Sequence, residues 1–245
     1  MKLNILNVNI DNLSLSEILD KIRGFLNSSG QHYLVTTNPE FIMAAQHDDE
    51  FKSILNKADL SIADGVGIKF AAKRFGQKLQ QRVAGVDLMW EISKIASEKG
   101  KSVFLLGAKK KGVAEQTAWR LIEKYPKLQI VGADGGFRRW LHRSLPDEKI
   151  VEVINRRQPD ILFVALGQVK QEKWIYHHLP KLPSVKLAMG VGGSFDYISG
   201  HIKRAPQWIR SFGLEWFYRL LRQPWRLPRI ITAVIKFSLA VLKHR

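Results

Sequence analysis

Short, continuously apolar runs alternate with amphipathic stretches along most of this chain. Leu3 to Ile10 alternates apolar and polar positions and reads as one short strand. Ser14-Leu-Ser-Glu17 has the spacing of a capping box, in which the serine hydroxyl and the Glu17 carboxylate each satisfy an orphan amide of a helix running to about Leu26. His32 to Thr37 is a β-branched run that predicts a buried strand, and Asn38-Pro39 then starts a helix or helical pair. Leu60–Ala63, Ser102–Leu106, Gln129–Ala133, Ile161–Leu166 and Lys186–Val191 read as further strands. Helices are expected from Ile68, from Asp87 to a C-capping Gly100, from Val113, near 146–157, and over Lys170–His178.

Strand-then-helix alternation with strands apolar throughout predicts an α/β fold: a Rossmann-like, mostly parallel sheet with helices on both faces. In such sheets ligands sit beyond the carboxyl ends of the strands. The polar and glycine-rich ends Thr36-Thr37-Asn38, Asp64-Gly65, Gly107, Gly167 and Gly192-Gly193 are therefore expected along one edge. After Gly200 the alternation stops, and Pro206, Pro224 and Pro228 punctuate short helices. The expected organisation is an α/β catalytic core over 1–200 and a helical, basic appendage over 201–245.

Charge sharpens that division. Residues 201–245 carry three Lys and seven Arg against the single acid Glu215, a net +9 of the chain's +17. Trp208, Trp216, Phe217, Tyr218 and Trp225 are interleaved with the arginines. Such a segment is suited to nucleic acid, an anionic membrane face or a phosphorylated small molecule. Residues 230–243 form a mostly apolar helix of about 21 Å, too short for a hydrocarbon core of roughly 30 Å. It would lie in a membrane interface, or dock on its own core or on a second copy in a homo-oligomer. There is no run of 18 apolar residues and no signal-peptide pattern at the N-terminus. The 245 residues include no cysteine, which excludes disulfides, Cys-based zinc sites and thiol nucleophiles and fits a cytoplasmic setting.

Candidate chemistry is sparse. Gly107 to Gly112 has the spacing of a phosphate loop, but Val113 and Ala114 stand where ATP hydrolysis needs Lys and Ser or Thr. An anion-binding helix start and a plain lysine-rich turn both remain open there. Gly190-Val-Gly192-Gly193 lacks dinucleotide spacing. The seven histidines have no metal-ligand spacing, and no Asp-x-Asp pair offers a manganese site, so no metal and no cofactor are expected. Asp64 is the acid of interest, at a strand end beside Gly65 and Gly67, where it is either a catalytic group or a turn and cap residue. Gln171 either reaches a ligand from the start of its helix or lies on an exposed face.

The segments TTNPEF (36–41), ADGVGI (63–68), RVAGVDL (82–88), FLLGA (104–108), PDILFVALG (159–167), KQEKW (170–174), MGVGGSFD (189–196), KRAP (203–206) and GLEWFYRLLRQP (213–224) together resemble the WecG/TagA/CpsF family of bacterial glycosyltransferases. The resemblance covers nearly the whole chain in order. It implies metal-independent, inverting transfer of N-acetylmannosamine or its uronic acid from a UDP-sugar to undecaprenyl-diphosphate-linked N-acetylglucosamine, for surface polysaccharide or teichoic acid. The enzyme would be peripheral on the cytoplasmic face of the plasma membrane and would not bind nucleic acid. Asp64 would be the general base, with Thr36 and Asn38 beside it in the acceptor pocket and Arg82 lining it. Gln171 and Gly192 would contact donor and nucleotide. Arg219, Arg226 and Arg229 would close over the diphosphate. One departure is that Val169 stands where the family has proline before Lys-Gln-Glu.

Overall fold

The computed structural model describes residues 2–108, 110–134, 137–138, 143–144 and 146–244. Its strands are β1 (Lys2–Ile5), β2 (Val8–Asp11), β3 (His32–Thr37), β4 (Leu60–Ala63), β5 (Ser102–Gly107), β6 (Gln129–Asp134), β7 (Phe137–Arg138), β8 (Arg143–Ser144), β9 (Ile161–Ala165) and β10 (Leu187–Gly190). The fold is α/β: eight strands form a mostly parallel mixed sheet with helices around it, and β7 and β8 pair separately. No element was expected at β7 and β8. Two compact units divide the chain. One comprises Met1–Ser14, Thr36–Ala84 and Lys203–Arg245, and the other Leu15–Val35 and Gly85–Ile202.

In the first unit, β1 and β2 form an antiparallel hairpin, and β2 runs parallel to β4 through Asp11 and Ile62. The single strand expected over Leu3–Ile10 is thus two. Leu6 and Asn7 take φ of 50° and 64°, the left-handed pair that a two-residue hairpin turn requires. Asparagine tolerates this region, and Asn4 Oδ1 accepts a hydrogen bond from the Asn7 amide at 3.2 Å. Leu3, Ile5, Val8 and Ile10 bury one face of the hairpin.

Residues 203–245 belong to the first unit together with Met1–Ser14 and Thr36–Ala84. The helical run through 227–243 includes a π-helical stretch at Ile231–Lys236 and packs on the helices Pro39–Ala45 and Val66–Arg74. Phe237 and Val241 are fully buried there, whereas Ile235, Leu239 and Leu242 of the same run are about half exposed. One face of this helix therefore docks on the protein's own core and the other stays bare. Among the described residues no helix is long and apolar enough to cross a membrane.

The second unit holds the parallel ladder β3-β10-β9-β5-β6. β5, β9 and β10 are apolar and buried, as parallel strands covered by helices must be, whereas the edge strand β6 is partly exposed along its length. Register places Gly107 beside Ala165 and Val164 beside Gly190, so the carboxyl ends of β5, β9 and β10 share one edge. Helices Leu15–Asn27, Gly85–Lys99, Val113–Lys124, Asp147–Arg157 and Lys170–His178 follow the sequence pattern closely.

Candidate active site

In the first unit the ends of β3 and β4 are joined where the candidate residues lie. The Asp64 amide donates to the Thr37 carbonyl at 2.8 Å, and the hydroxyls of Thr37 and Ser61 lie 2.8 Å apart. Thr36 and Thr37 are buried, while Asn38 and Asp64 are half-buried, so the polar strand ends open toward solvent. The Val83 amide donates to the Ala63 carbonyl at 3.0 Å, which brings Arg82 to the same strand end. These backbone bonds bring the chain at Thr36–Asn38, Asp64 and Arg82 to one strand end.

Asn38 has a visible structural task. It is the N-cap of the helix Pro39–Ala45, and its Oδ1 accepts from the Phe41 amide at 3.0 Å. Losing such a cap costs about 1 kcal/mol. Asn38→Ala is therefore expected to lower stability by about that much in chemical denaturation. Asn38→Ser, which keeps a capping oxygen, should stay within a few tenths of a kcal/mol of the parent. A loss of activity in Asn38→Ser would then report substrate contact rather than lost structure.

The C-terminal segment reaches these same elements. Gly213, at the turn between helices Gln207–Ser211 and Glu215–Arg222, has φ of 74°, and a Cβ there would overlap the Val66 side chain. Arg82 Nη2 is 3.5 Å from the Arg210 carbonyl, at the long limit for a hydrogen bond. Arg229 Nε donates to Glu40 Oε2 at 2.7 Å, two residues beyond Asn38. Arg204 pairs with Glu215 at 3.2 Å, and Arg226 is held by Gln223. Arg219 is half-buried. Planar guanidinium groups on the element that packs beside a polar strand end are suited to phosphate oxygens. Glu40 lies inside the quoted TTNPEF segment, yet sequence reasoning gave it no role, because its partner is 189 residues away.

In the second unit, Gln171 and Glu172 are buried to 2% and 1% exposure. An exposed helix face for Gln171 is therefore corrected: the face of Lys170–His178 that carries Gln171, Trp174 and Ile175 turns inward. Gln171 Oε1 accepts from the Gly192 amide at 2.9 Å, and its Nε2 donates to Glu172 Oε1 at 2.6 Å. The other Glu172 oxygen accepts from the Val169 amide at 2.8 Å. Val169 takes φ of 68° and ψ of −53°, uncommon for a β-branched residue. Proline, fixed near −65° and lacking an N–H, could supply neither that backbone nor that bond.

Burial pushes Glu172 up to about 7, against hydrogen bonds from Gln171 and the backbone that favour the charged form. The native state thus holds this proton more tightly than the unfolded chain, whose value is near 4.5. The resulting stabilisation is fully present below about 4.5 and is lost as pH rises to about 7. Glu172→Gln should remove that slope, so its deficit in melting temperature against the parent shrinks from pH ~5 to pH ~7.5.

Among the described residues no group of three His, Cys, Asp or Glu is placed to hold a metal ion. The Gly107–Gly112 loop includes residue 109, which lies outside the described residues; Gly112 is the left-handed N-cap of helix Val113–Lys124.

A parallel α/β sheet whose strand ends carry an acid, hydroxyls and an amide, beside an arginine-rich segment, is the framework of an enzyme for anionic substrates. The chain belongs to the glycosyl transferase WecG/TagA/CpsF family, matching it over residues 3–245. A protein of Bacillus subtilis (strain 168) named N-acetylglucosaminyldiphosphoundecaprenol N-acetyl-beta-D-mannosaminyltransferase is 35% identical over 239 residues, covering 97% of this chain and 90% of the relative. Like-named proteins of Bacillus spizizenii (strain ATCC 23059 / NRRL B-14472 / W23) and Staphylococcus aureus (strain MRSA252) are each 36% identical. They cover 90% and 100% of this chain, and 82% and 94% of their own lengths.

Proposed function

We propose that this protein transfers N-acetylmannosamine, or its uronic acid, from a UDP-sugar to undecaprenyl-diphosphate-linked N-acetylglucosamine, in the synthesis of a cell-surface polysaccharide or teichoic acid. The observation that carries this reading is similarity over almost the full chain to relatives whose names give an N-acetyl-beta-D-mannosaminyltransferase acting on N-acetylglucosaminyldiphosphoundecaprenol.

The mechanism is a direct displacement with inversion. The Asp64 carboxylate takes the proton from the acceptor hydroxyl, whose oxygen forms the new bond to the anomeric carbon. The bond from that carbon to the diphosphate breaks, and UDP leaves with the electron pair. Thr36, Asn38 and Arg82 line the acceptor pocket around Asp64. Gln171 and the turn at Gly192 belong to the donor side. Arg219, Arg226 and Arg229 neutralise the departing diphosphate, the task a metal performs elsewhere. A transferase that works in this way needs no metal or cofactor.

Residues 201–245 are the membrane-associating part, serving a core built on 1–200 at the inner face of the plasma membrane. Trp208, Phe212, Leu221, Trp225 and Leu239 are exposed among the arginines, as suits an interface with anionic headgroups. Turnover of UDP-N-acetylmannosamine with a short-chain lipid-diphosphate acceptor tests this function, and no product from that donor, its uronic acid or UDP-glucose would contradict it. Family and relatives alike are transferases, which supports this function over nucleic-acid binding.

A further inference from the structure

The carboxyl ends of β9 and β10 are neighbours in the second unit, and each runs into a turn with left-handed residues. Gly167 and Val169 follow β9 with φ of 93° and 68°, and Gly192 follows β10 with φ of 51°. No direct backbone bond between these two turns is needed to explain how they are fixed, because the Gln171–Glu172 pair reaches both. Gln171 takes the Gly192 amide on one side, Glu172 takes the Val169 amide on the other, and the two side chains bond each other between them. The Gln171 amide also donates to the Gly167 carbonyl at 2.9 Å. Space for the pair comes from Gly190: a Cβ there would overlap Glu172 Oε1 and stand 2.7 Å from Gln171 Nε2.

We propose that Gln171 and Glu172 form a buried latch that sets the Gly190–Gly193 turn against the Gly167–Val169 turn, and so positions the donor side of the site for the nucleoside diphosphate. Both are positioning residues. The proposal rests on the donor assignment above for its kinetic part, but the latch itself is a statement about hydrogen bonds that is tested separately. It reassigns the part played by Gln171. The two atoms of its amide are already engaged within the protein, so its influence on the donor runs through the Gly192 backbone.

The pattern of donors and acceptors gives a sharp test. Two backbone N–H groups must each meet an oxygen, and one more bond must join the side chains. An acid and an amide satisfy this in either order. With glutamate at 171 and glutamine at 172, the first carboxylate oxygen accepts from Gly192, the second accepts from the amide nitrogen at 172, and the amide oxygen accepts from Val169. Two amides leave one donor facing a donor, and two acids require a shared proton. Glu172→Gln therefore breaks one bond, Gln171→Glu keeps all three only while the two acids share a proton, and the swapped double variant restores all three without one.

The experiment measures amide hydrogen exchange at Val169 and Gly192 and steady-state kinetics with UDP-N-acetylmannosamine, for the parent, both single variants and the double. The expected result is exchange at least ten-fold faster at one or both amides in Glu172→Gln, and in Gln171→Glu once rising pH removes the shared proton, with donor KM raised about ten-fold and acceptor KM unchanged. In the double variant both readouts return to within about three-fold of the parent. Exchange unchanged in the single variants, or a double variant no better protected than they are, overturns the latch. Exchange that follows the pattern while donor KM stays constant throughout overturns its role in positioning the donor. A parent enzyme that shows the exchange pattern but uses no UDP-sugar would sink the transferase reading and leave the latch standing.

Discussion

Replacing Asp64 by asparagine lowers kcat for sugar transfer by about 10²- to 10⁴-fold, the range in which a positioned general base contributes. Asparagine is nearly isosteric with aspartate, and the bond that fixes this strand end is made by the backbone amide to the Thr37 carbonyl. The fold and the binding of both substrates should therefore survive, and KM values should move little. A carboxylate acting only as a turn residue predicts the opposite, a change in stability with turnover preserved. The variant's melting temperature and kcat, measured together, separate the two. Unchanged turnover would remove Asp64 from the mechanism while leaving the enzyme class in place.

Serine at Ile235, Leu239 and Leu242 together weakens binding to vesicles of anionic lipid by about two orders of magnitude. The three side chains are about half exposed on the face of the C-terminal helix opposite Phe237 and Val241. Burial of an aliphatic side chain contributes about 1.5–3 kcal/mol, so immersing the exposed parts of three is worth roughly 3 kcal/mol. Neighbouring basic residues add roughly 1 kcal/mol each, which high salt should weaken. Because Phe237 and Val241 are untouched, the helix stays docked and the melting temperature holds. Co-sedimentation with vesicles reads the effect, and sedimentation without lipid distinguishes the other occupant of this face. A parent that self-associates through it, and a triple variant that falls to monomer with membrane binding intact, would assign the face to a homo-oligomer instead.

Much of this architecture is legible in the chain because its signals are local. The buried run His32–Thr37, the Asn-Pro helix start and the strand ending at Asp64 each announce themselves within a few residues, and the structure places them as expected. The turn at Leu6-Asn7 escaped because neither residue is glycine, and only a left-handed backbone reveals it. Joining residues 203–245 to 1–14 and 36–84 could not be read either, since it depends on contacts such as Phe237 against the helix that follows Asp64. The burial of Gln171 is not legible locally for the same reason. Its partner amide at Gly192 lies 21 residues on, and the absence of a side chain at Gly190 makes the room. The site's chemistry is legible only through the resemblance of ordered segments to the family, since spacing alone leaves Asp64 either a turn residue or a base.

Metal-independent sugar transfer is tested most directly by turnover of UDP-N-acetylmannosamine with a short-chain lipid-diphosphate N-acetylglucosamine in the presence of EDTA. The expected result is a disaccharide product with inverted anomeric configuration and a rate that EDTA does not change. A rate abolished by EDTA and restored by a divalent cation would contradict the role given to Arg219, Arg226 and Arg229. No product from this donor, from its uronic acid or from UDP-glucose would contradict the proposed function itself.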